Sequence, residues 1–292
     1  MSATLLKILA LLFMTIDHIG EFFPNAPIWF RWIGRLSAPM FLYVFVNSLM
    51  YTKNKKKMLS RLYFFNIIIC IINIFLNISP LTIVHELWFA NNILGTFFAL
   101  AILIYLFEYI KEKKDSWKKY LLYYILLQII GTVFAVLLGL NGLNTMLLAF
   151  SQLTGNIFIN EGRLFFTIVG VTFYFTKNNK KNTAFYYGLL VFINSFIILT
   201  ALVPRISVRL QYYGFNVLYE VFERIMGVIG YDTMIFSGLS PLFEQYQWMM
   251  IFALPFILLY NGEKGRGFKY LFYIYYPLHI AILALLSYFY YF

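Results

Sequence analysis

A chain of 292 residues that is 62% hydrophobic and only 12% charged, with mean hydropathy +0.76, is too apolar for a water-soluble globule and reads as a polytopic membrane protein. Its net charge of +11 would suit nucleic acid, but the basic residues cluster in short segments between apolar runs, which membrane topology explains without a nucleic-acid partner. The single cysteine, Cys70, lies in an apolar run and excludes an internal disulfide and a cysteine-built metal cluster.

Crossing hydrocarbon takes about 20 apolar residues. In chain order the predicted spans are 5–23 and 28–52, then 62–79 and 92–110, 120–139 and 162–176, 183–203 and 247–260, and last 269–290. The first has no small-residue cleavage site behind it and reads as a retained helix. After each pair comes a basic cluster: KNKKKMLSR at 53–61, KEKKDSWKK at 111–119, KNNKKN at 177–182 and GEKGRGFK at 262–269. The positive-inside rule puts all four, and the N-terminus, on the cytoplasmic side of a cell membrane. Segments 141–162 and 205–232 are apolar but studded with polar residues, and read as interfacial or re-entrant helices on the outer side or as extra crossings. The expected fold is therefore an all-α transmembrane bundle of about nine to eleven spans. With no internal repeat or linker, residues 1–292 form one integral-membrane domain.

The stretch FMTIDHIGEFF, residues 13–23, puts Asp17, His18 and Glu21 inside the first span. At about 1.5 Å and 100° per residue, Lys7 and His18 share a helix face about 16 Å apart, with Lys7 toward the cytoplasm. Asp17 points about 100° away from His18 and needs its own cation. Arg31 and Arg35, i and i+4 in the second span, are the candidates, and the short turn through Pro24 and Pro27 should hold them at the depth of His18. Four readings stand. An Asp17–Arg35 ion pair would simply pin the first two helices together. His18 would act chemically, since imidazole titrates near neutral pH and is the usual general base. The same groups would relay protons in a transporter or flippase, although paired broken helices in two matching halves are missing from the pattern. Or the chain is a non-catalytic membrane assembly factor.

His85, in PLTIVHELWF before Glu86, reads as a hydrogen-bonded turn residue. His279, in YIYYPLHIAIL, follows Pro277, which frees a backbone carbonyl for it; structural and functional roles stand even. The three histidines come from separate segments without ligand spacing, so no metal is expected. Glu161, just before Arg163 at the start of the sixth span, suits that helix's N-terminal end. Arg205, Arg209, Glu220, Glu223, Arg224, Asp232 and Glu244 read as solvated or interfacial charges. The loop YNGEKGRGFK, 260–269, interleaves glycines with Lys264, Arg266 and Lys269. Free backbone and basic side chains suit the phosphates of a nucleotide-like ligand, but the spacing matches no Walker loop or dinucleotide fingerprint, and a plain basic turn is the alternative.

The blocks LKILALLFMTIDHIG, RWIGRLSAPMFLYVFVNSLMYTKN and LLYNGEKGRGFKYLFYIYYPLHIAIL, in that order, resemble the TraX family, to which the conjugative pilin N-acetyltransferase belongs. That family is grouped with a wider set of transmembrane acyltransferases, including polysaccharide O-acetyltransferases and the lysosomal heparan-glucosaminide N-acetyltransferase. The middle of the chain resembles it only in hydropathy. Lys7 and His18 fit the wider set's basic residue eleven positions before a histidine on the first helix, whereas the spacing of Arg31 and Arg35 departs from its pattern. The resemblance implies an acyltransferase-like domain that moves an acetyl group from cytoplasmic acetyl-CoA to an acceptor amine, favoured over a hydroxyl. Lys7, Lys264, Arg266 and Lys269 would hold the cofactor's phosphates, and His18 would be general base or transient acetyl carrier. Asp17, Arg31 and Arg35 would complete the site, with the arginines stabilising the oxyanion or positioning the acceptor. The acceptor would be a peptide or pilin N-terminus on the nearest relative's pattern, or a saccharide on the wider group's.

Overall fold

The structure is a computed structural model that describes residues 1–23, 25–78, 90–112, 116–231, 233, 241–268 and 271–291, without the side chains of 241, 244 and 291. His85, Glu86, Asp232 and Lys269, and the side chain of Glu244, lie outside the described residues. Among the described residues every regular element is helical. They are α1 (Ala3–Phe22), α2 (Trp29–Gly34), α3 (Ser37–Met50), α4 (Lys55–Ile78), α5 (Ile93–Lys111), α6 (Trp117–Leu140) and α7 (Asn144–Leu153). There follow α8 (Arg163–Thr176), α9 (Lys180–Leu199), α10 (Leu202–Tyr212), α11 (Asn216–Ile229) and α12 (Pro241–Glu244), a 3-10 helix at Tyr246–Ala253, then α13 (Leu254–Leu258) and α14 (Leu271–Tyr291).

Seven of these helices, counting Trp29–Met50 as one, are long and apolar enough to cross a membrane, and two shorter apolar helices, Arg163–Thr176 and Tyr246–Leu258, stand where the other two predicted spans fall. The chain is an all-helical, multi-pass membrane protein. Helix starts carry polar caps that satisfy the first free amides: Ser2 accepts from Leu5 N–H, Asn92 from Gly95 and Asn179 from Asn182. α4 begins seven residues before the predicted 62. Asn54 accepts from Lys57 N–H at 2.9 Å, and Lys55 extends to Glu108 on α5 (2.5 Å) and over the Tyr105 ring. Lysine is a good helix former whose stem lies along the helix, so a basic run need not be a loop.

The described chain divides into two compact units, each assembled from an early and a late stretch. The first comprises Met1–Val44 and Phe175–Phe268. Its N-terminus is strapped to the loop at 259–266: the Met1 ammonium donates to Leu259 O (2.7 Å), Ala3 N–H to Glu263 O (2.8 Å), and the Thr4 hydroxyl to the carbonyls of Lys264 (2.9 Å) and Arg266 (2.6 Å). α1 packs on α2, and α9 packs on the 3-10 helix. At the second contact the fully buried Tyr187 hydroxyl donates to Met250 O at 2.5 Å. Eight residues are long for a 3-10 run, which rarely exceeds about four. The predicted 205–232 element resolves into a hairpin of α10 and α11 turned at Gly214, whose φ of +74° suits glycine, and Ser207 Oγ donates to Glu223 across it (3.3 Å).

The second unit comprises Phe45–Tyr174 and Lys269–Phe292. The predicted 141–162 segment proves to be α7 followed by irregular backbone at 154–162, and buried carboxamides account for it. Asn66 Nδ2 donates to Gln152 O (2.6 Å), Asn92 Nδ2 to Gln152 Oε1 (3.0 Å), and Asn156 Nδ2 to Gln128 O (3.0 Å). Ile157 N–H donates to Gln128 Oε1 (2.9 Å), and Gly162 N–H to the Thr96 hydroxyl (2.9 Å), which itself donates to Asn160 Oδ1 (2.8 Å). Amide side chains thus replace the helix ladder that this backbone lacks. Close packing fixes α8 as well, since a Cβ on Gly170 would overlap the Leu100 side chain.

Candidate active site on α1 and α2

α1 carries Asp17 and His18 in its last two turns. The extended Phe23 and the turn through Pro27 bring the chain back so that α2 packs along it. The helical spacing of Arg31 and Arg35 aims both at Asp17. Arg35 Nη2 grips both carboxylate oxygens, at 2.7 and 2.5 Å. Arg31 Nη1 reaches Asp17 Oδ1, the Asp17 carbonyl and Glu21 Oε2, each at 3.0 Å. Two arginines are thus matched by two carboxylates in a partly buried cluster, which offsets much of the desolvation that unpaired charge would cost there. Gly34 makes the approach possible: a Cβ there would occupy the position of the Asp17 side chain.

Tyr246, at the start of the 3-10 helix, closes the cluster. Its hydroxyl accepts from Arg31 Nε at 3.3 Å, and the Arg35 guanidinium stands 5.1 Å from its ring centre. The other edges, Arg31 Nη2 and Arg35 Nη1, make no hydrogen bond among the described residues. His18 is 6% exposed, and Glu21, Arg31 and Arg35 all lie within electrostatic reach of its ring. The four predicted catalytic residues therefore come together in one unit.

Of the predicted phosphate ligands, Lys7 and Lys264 lie within electrostatic reach of each other, with Lys264 and Arg266 exposed on the strapped loop. Gly262 and Gly265 take φ of +84° and +71°, and a Cβ on Gly265 would meet Ser2 Oγ at 2.6 Å, so the loop is pressed onto the positive end of α1. The first amides of α1 are taken by the carbonyls of Glu263 and Lys264 and by Ser2 Oγ, so an anion at this end would be met by the basic side chains and not by the helix N–H groups.

Other expected roles shift. The His279 ring nitrogen Nδ1 bonds the Tyr275 carbonyl (2.9 Å) and the ring stacks on Tyr275, so its partner is the ordinary i−4 carbonyl rather than the one that Pro277 releases. Glu161 accepts from Asn92 N–H and so complements the N-terminus of α5. Among the described residues no group of three or more His, Cys, Asp or Glu is placed to hold a metal. Glu21, Gly34 and Tyr246 are the cluster members that spacing alone did not single out. Glu21 is foreshadowed by its place one turn after Asp17. Tyr246 is one of 24 tyrosines and gives no local signal.

Seven helices among the described residues that are long and apolar enough to cross a membrane, the first carrying a partly buried charged cluster, define a polytopic membrane protein. Residues 2–287 match the TraX protein family, and the chain belongs to it. It is also 34% identical over 71 residues to a protein of Dichelobacter nodosus described as "Probable fimbrial assembly protein FimC, serogroup H1", an alignment covering 23% of this chain and 29% of that relative's length. No solved structure matches.

Proposed function

We propose that the protein is an acetyl-CoA-dependent membrane acetyltransferase that modifies an amine, with a peptide or pilin N-terminus as acceptor. The observation that carries the reading is that α1 bears His18 beside the Asp17–Arg31–Arg35 cluster that α2 completes, and bears Lys7 near the basic loop about 16 Å toward its other end. That separation suits a co-substrate with charged phosphates at one end and a reactive thioester at the other. Lys7, Lys264 and Arg266 hold the phosphates, and Lys269 belongs to the same basic segment. Acetyl-CoA supplies an activated acetyl group. His18 accepts the proton as the acceptor nitrogen attacks the thioester carbonyl, and returns it to the CoA sulfur as the carbon–sulfur bond breaks and CoA leaves as the free thiol, a role worth about 10² to 10⁴ in rate. The unbonded N–H edges of Arg31 and Arg35 stabilise the oxygen that gains charge, while Asp17 and Glu21 hold those guanidiniums in place. Membership of the TraX family and likeness to a fimbrial assembly protein support the pilin side of the reading, and the basic clusters between apolar runs support a cytoplasmic N-terminus and cytoplasmic basic loops.

A second reading follows from the relative's description: a non-catalytic fimbrial assembly factor, in which the same ion pairs only pin α1 to α2. Protein purified into nanodiscs and given radiolabelled acetyl-CoA with an N-terminal pilin peptide separates the two. Label transfer that His18→Ala abolishes, with the protein still folded, supports the enzyme. Fold-intact protein that neither binds acetyl-CoA nor transfers label sinks it. Acid quenching before peptide is added tests for label on His18 itself, and so chooses between general base and acetyl carrier.

A further inference from the structure

The hairpin of α10 and α11 plays no part in that site. Its helices have eleven and fourteen residues, about 16 and 21 Å, too short to cross hydrocarbon of about 30 Å. At about 100° per residue, α11 divides into three strips. Asn216, Glu220, Arg224 and Gly227 form an exposed polar strip. Tyr219, Phe222, Glu223, Met226 and Ile229 are half-buried, on the side from which Glu223 bonds Ser207 of α10. Between them Val217, Leu218, Val221 and Ile225 form an apolar strip left exposed, Val217 at 79%, and no residue of α11 is buried. A helix with water-seeking and water-avoiding strips side by side, both exposed, suits a boundary between water and acyl chains.

Charge and aromatic placement identify that boundary. Arg205, Arg209 and Arg224 are exposed and form no ion pair among the described residues. Against them stand Glu220 and Glu223, and Glu223 is already bonded within the hairpin. Arg224 borders the apolar strip, where its stem can lie along acyl chains while its guanidinium reaches phosphate. Exposed Tyr212, Tyr213 and Phe215 cluster at the turn, the aromatic placement found at headgroup depth. We infer that the α10–α11 hairpin lies in one leaflet's headgroup zone as a lipid-docking surface, with the Val217–Ile225 strip in the acyl boundary and the three arginines on anionic phospholipid headgroups.

The test uses full-length protein in nanodiscs of phosphatidylcholine and phosphatidylglycerol, with Cys70→Ser and single fluorophore-labelled cysteines. Val217→Cys, Val221→Cys and Ile225→Cys should be quenched by a shallow lipid-borne nitroxide and spared by iodide, while Glu220→Cys and Gly227→Cys should show the reverse. A nitroxide on phosphatidylglycerol should quench the 221 label about twofold or more better than one on phosphatidylcholine, and combined Arg→Gln changes at 205, 209 and 224 should erase that preference. Iodide quenching along the apolar strip would overturn the inference. So would protection from both quenchers, which would mean a protein partner or second copy covers it, or no headgroup preference in the unaltered chain. None of these readouts depends on acetyl transfer, so this inference and the proposed enzyme activity fail separately.

Discussion

Gly34 and Asp17 meet where no second side chain fits, so Gly34→Ala must move the carboxylate or the helix. Overpacking of this kind costs about 1–3 kcal/mol, and the expected result is a lower melting temperature in nanodiscs together with reduced acetyl transfer. If the clash is with Asp17, the same change should cost much less in an Asp17→Gly background; equal cost in both would locate the strain elsewhere. Arg35 offers a second check. Its two bonds to Asp17 leave from one nitrogen, so Arg35→Lys preserves charge yet gives up the flat second edge that faces away from the pair. Arg35→Gln should destabilise by about 1.5–3 kcal/mol, since Asp17 loses its charged bonds to Arg35 but keeps Arg31, whereas Arg35→Lys should keep most of the stability and lose activity. Loss of stability and activity in equal proportion for both variants would mark the arginine as purely structural. Much of this cluster was legible in the sequence because it is local: helical spacing relates Arg31 to Arg35, and a short proline turn brings them back to Asp17. The Gly34 contact was not, because it depends on the rotation of α2 about its axis, which no spacing rule fixes.

Short elements are where sequence and structure part most. A window of apolar residues finds long helices, but α7 and the buried 154–162 backbone are held by carboxamides from α4, α5 and α6, partners that no local pattern reveals. Asn66→Leu should therefore detach α7, leaving the Gln152 carbonyl without its donor at a cost of about 1–3 kcal/mol, and hydrogen exchange should rise in 144–162 before α5 or α6 opens. Unchanged protection there would mean packing, not the amide, holds the helix. The 3-10 helix at Tyr246–Ala253 is likewise indistinguishable from an ordinary membrane helix in the sequence, since 3-10 and α segments share the same apolar composition. What distinguishes it is the Tyr187 hydroxyl on the Met250 carbonyl. Tyr187→Phe removes that donor while keeping the ring, so exchange should quicken at 250–254, and Arg31 should lose part of its anchor as Tyr246 shifts.

Across the whole molecule, parity ties the helix count to topology. The seven long helices alone would leave the basic clusters at 111–119 and 177–182 on opposite faces, because only α6 would lie between them. Counting α8 as a crossing restores both to one face, and counting 246–258 does the same for 177–182 and 262–269. Yet α8 rises only about 21 Å, and 246–258 about 24 Å with its 3-10 residues at 2.0 Å each, against about 30 Å of hydrocarbon. The irregular 154–162 stretch would meet the shortfall at α8, since its amides at 157, 158 and 162 are already bonded by Gln128, Asn156 and Thr96 and so tolerate membrane depth. The expected outcome is that Lys56→Cys, Lys118→Cys and Lys181→Cys, each in a Cys70→Ser chain, are all labelled from the cytoplasmic side of oriented vesicles by a membrane-impermeant maleimide. Labelling of position 181 from the opposite face would show that α8 turns back without crossing, and the positive-inside reading would then fail for the second half of the chain.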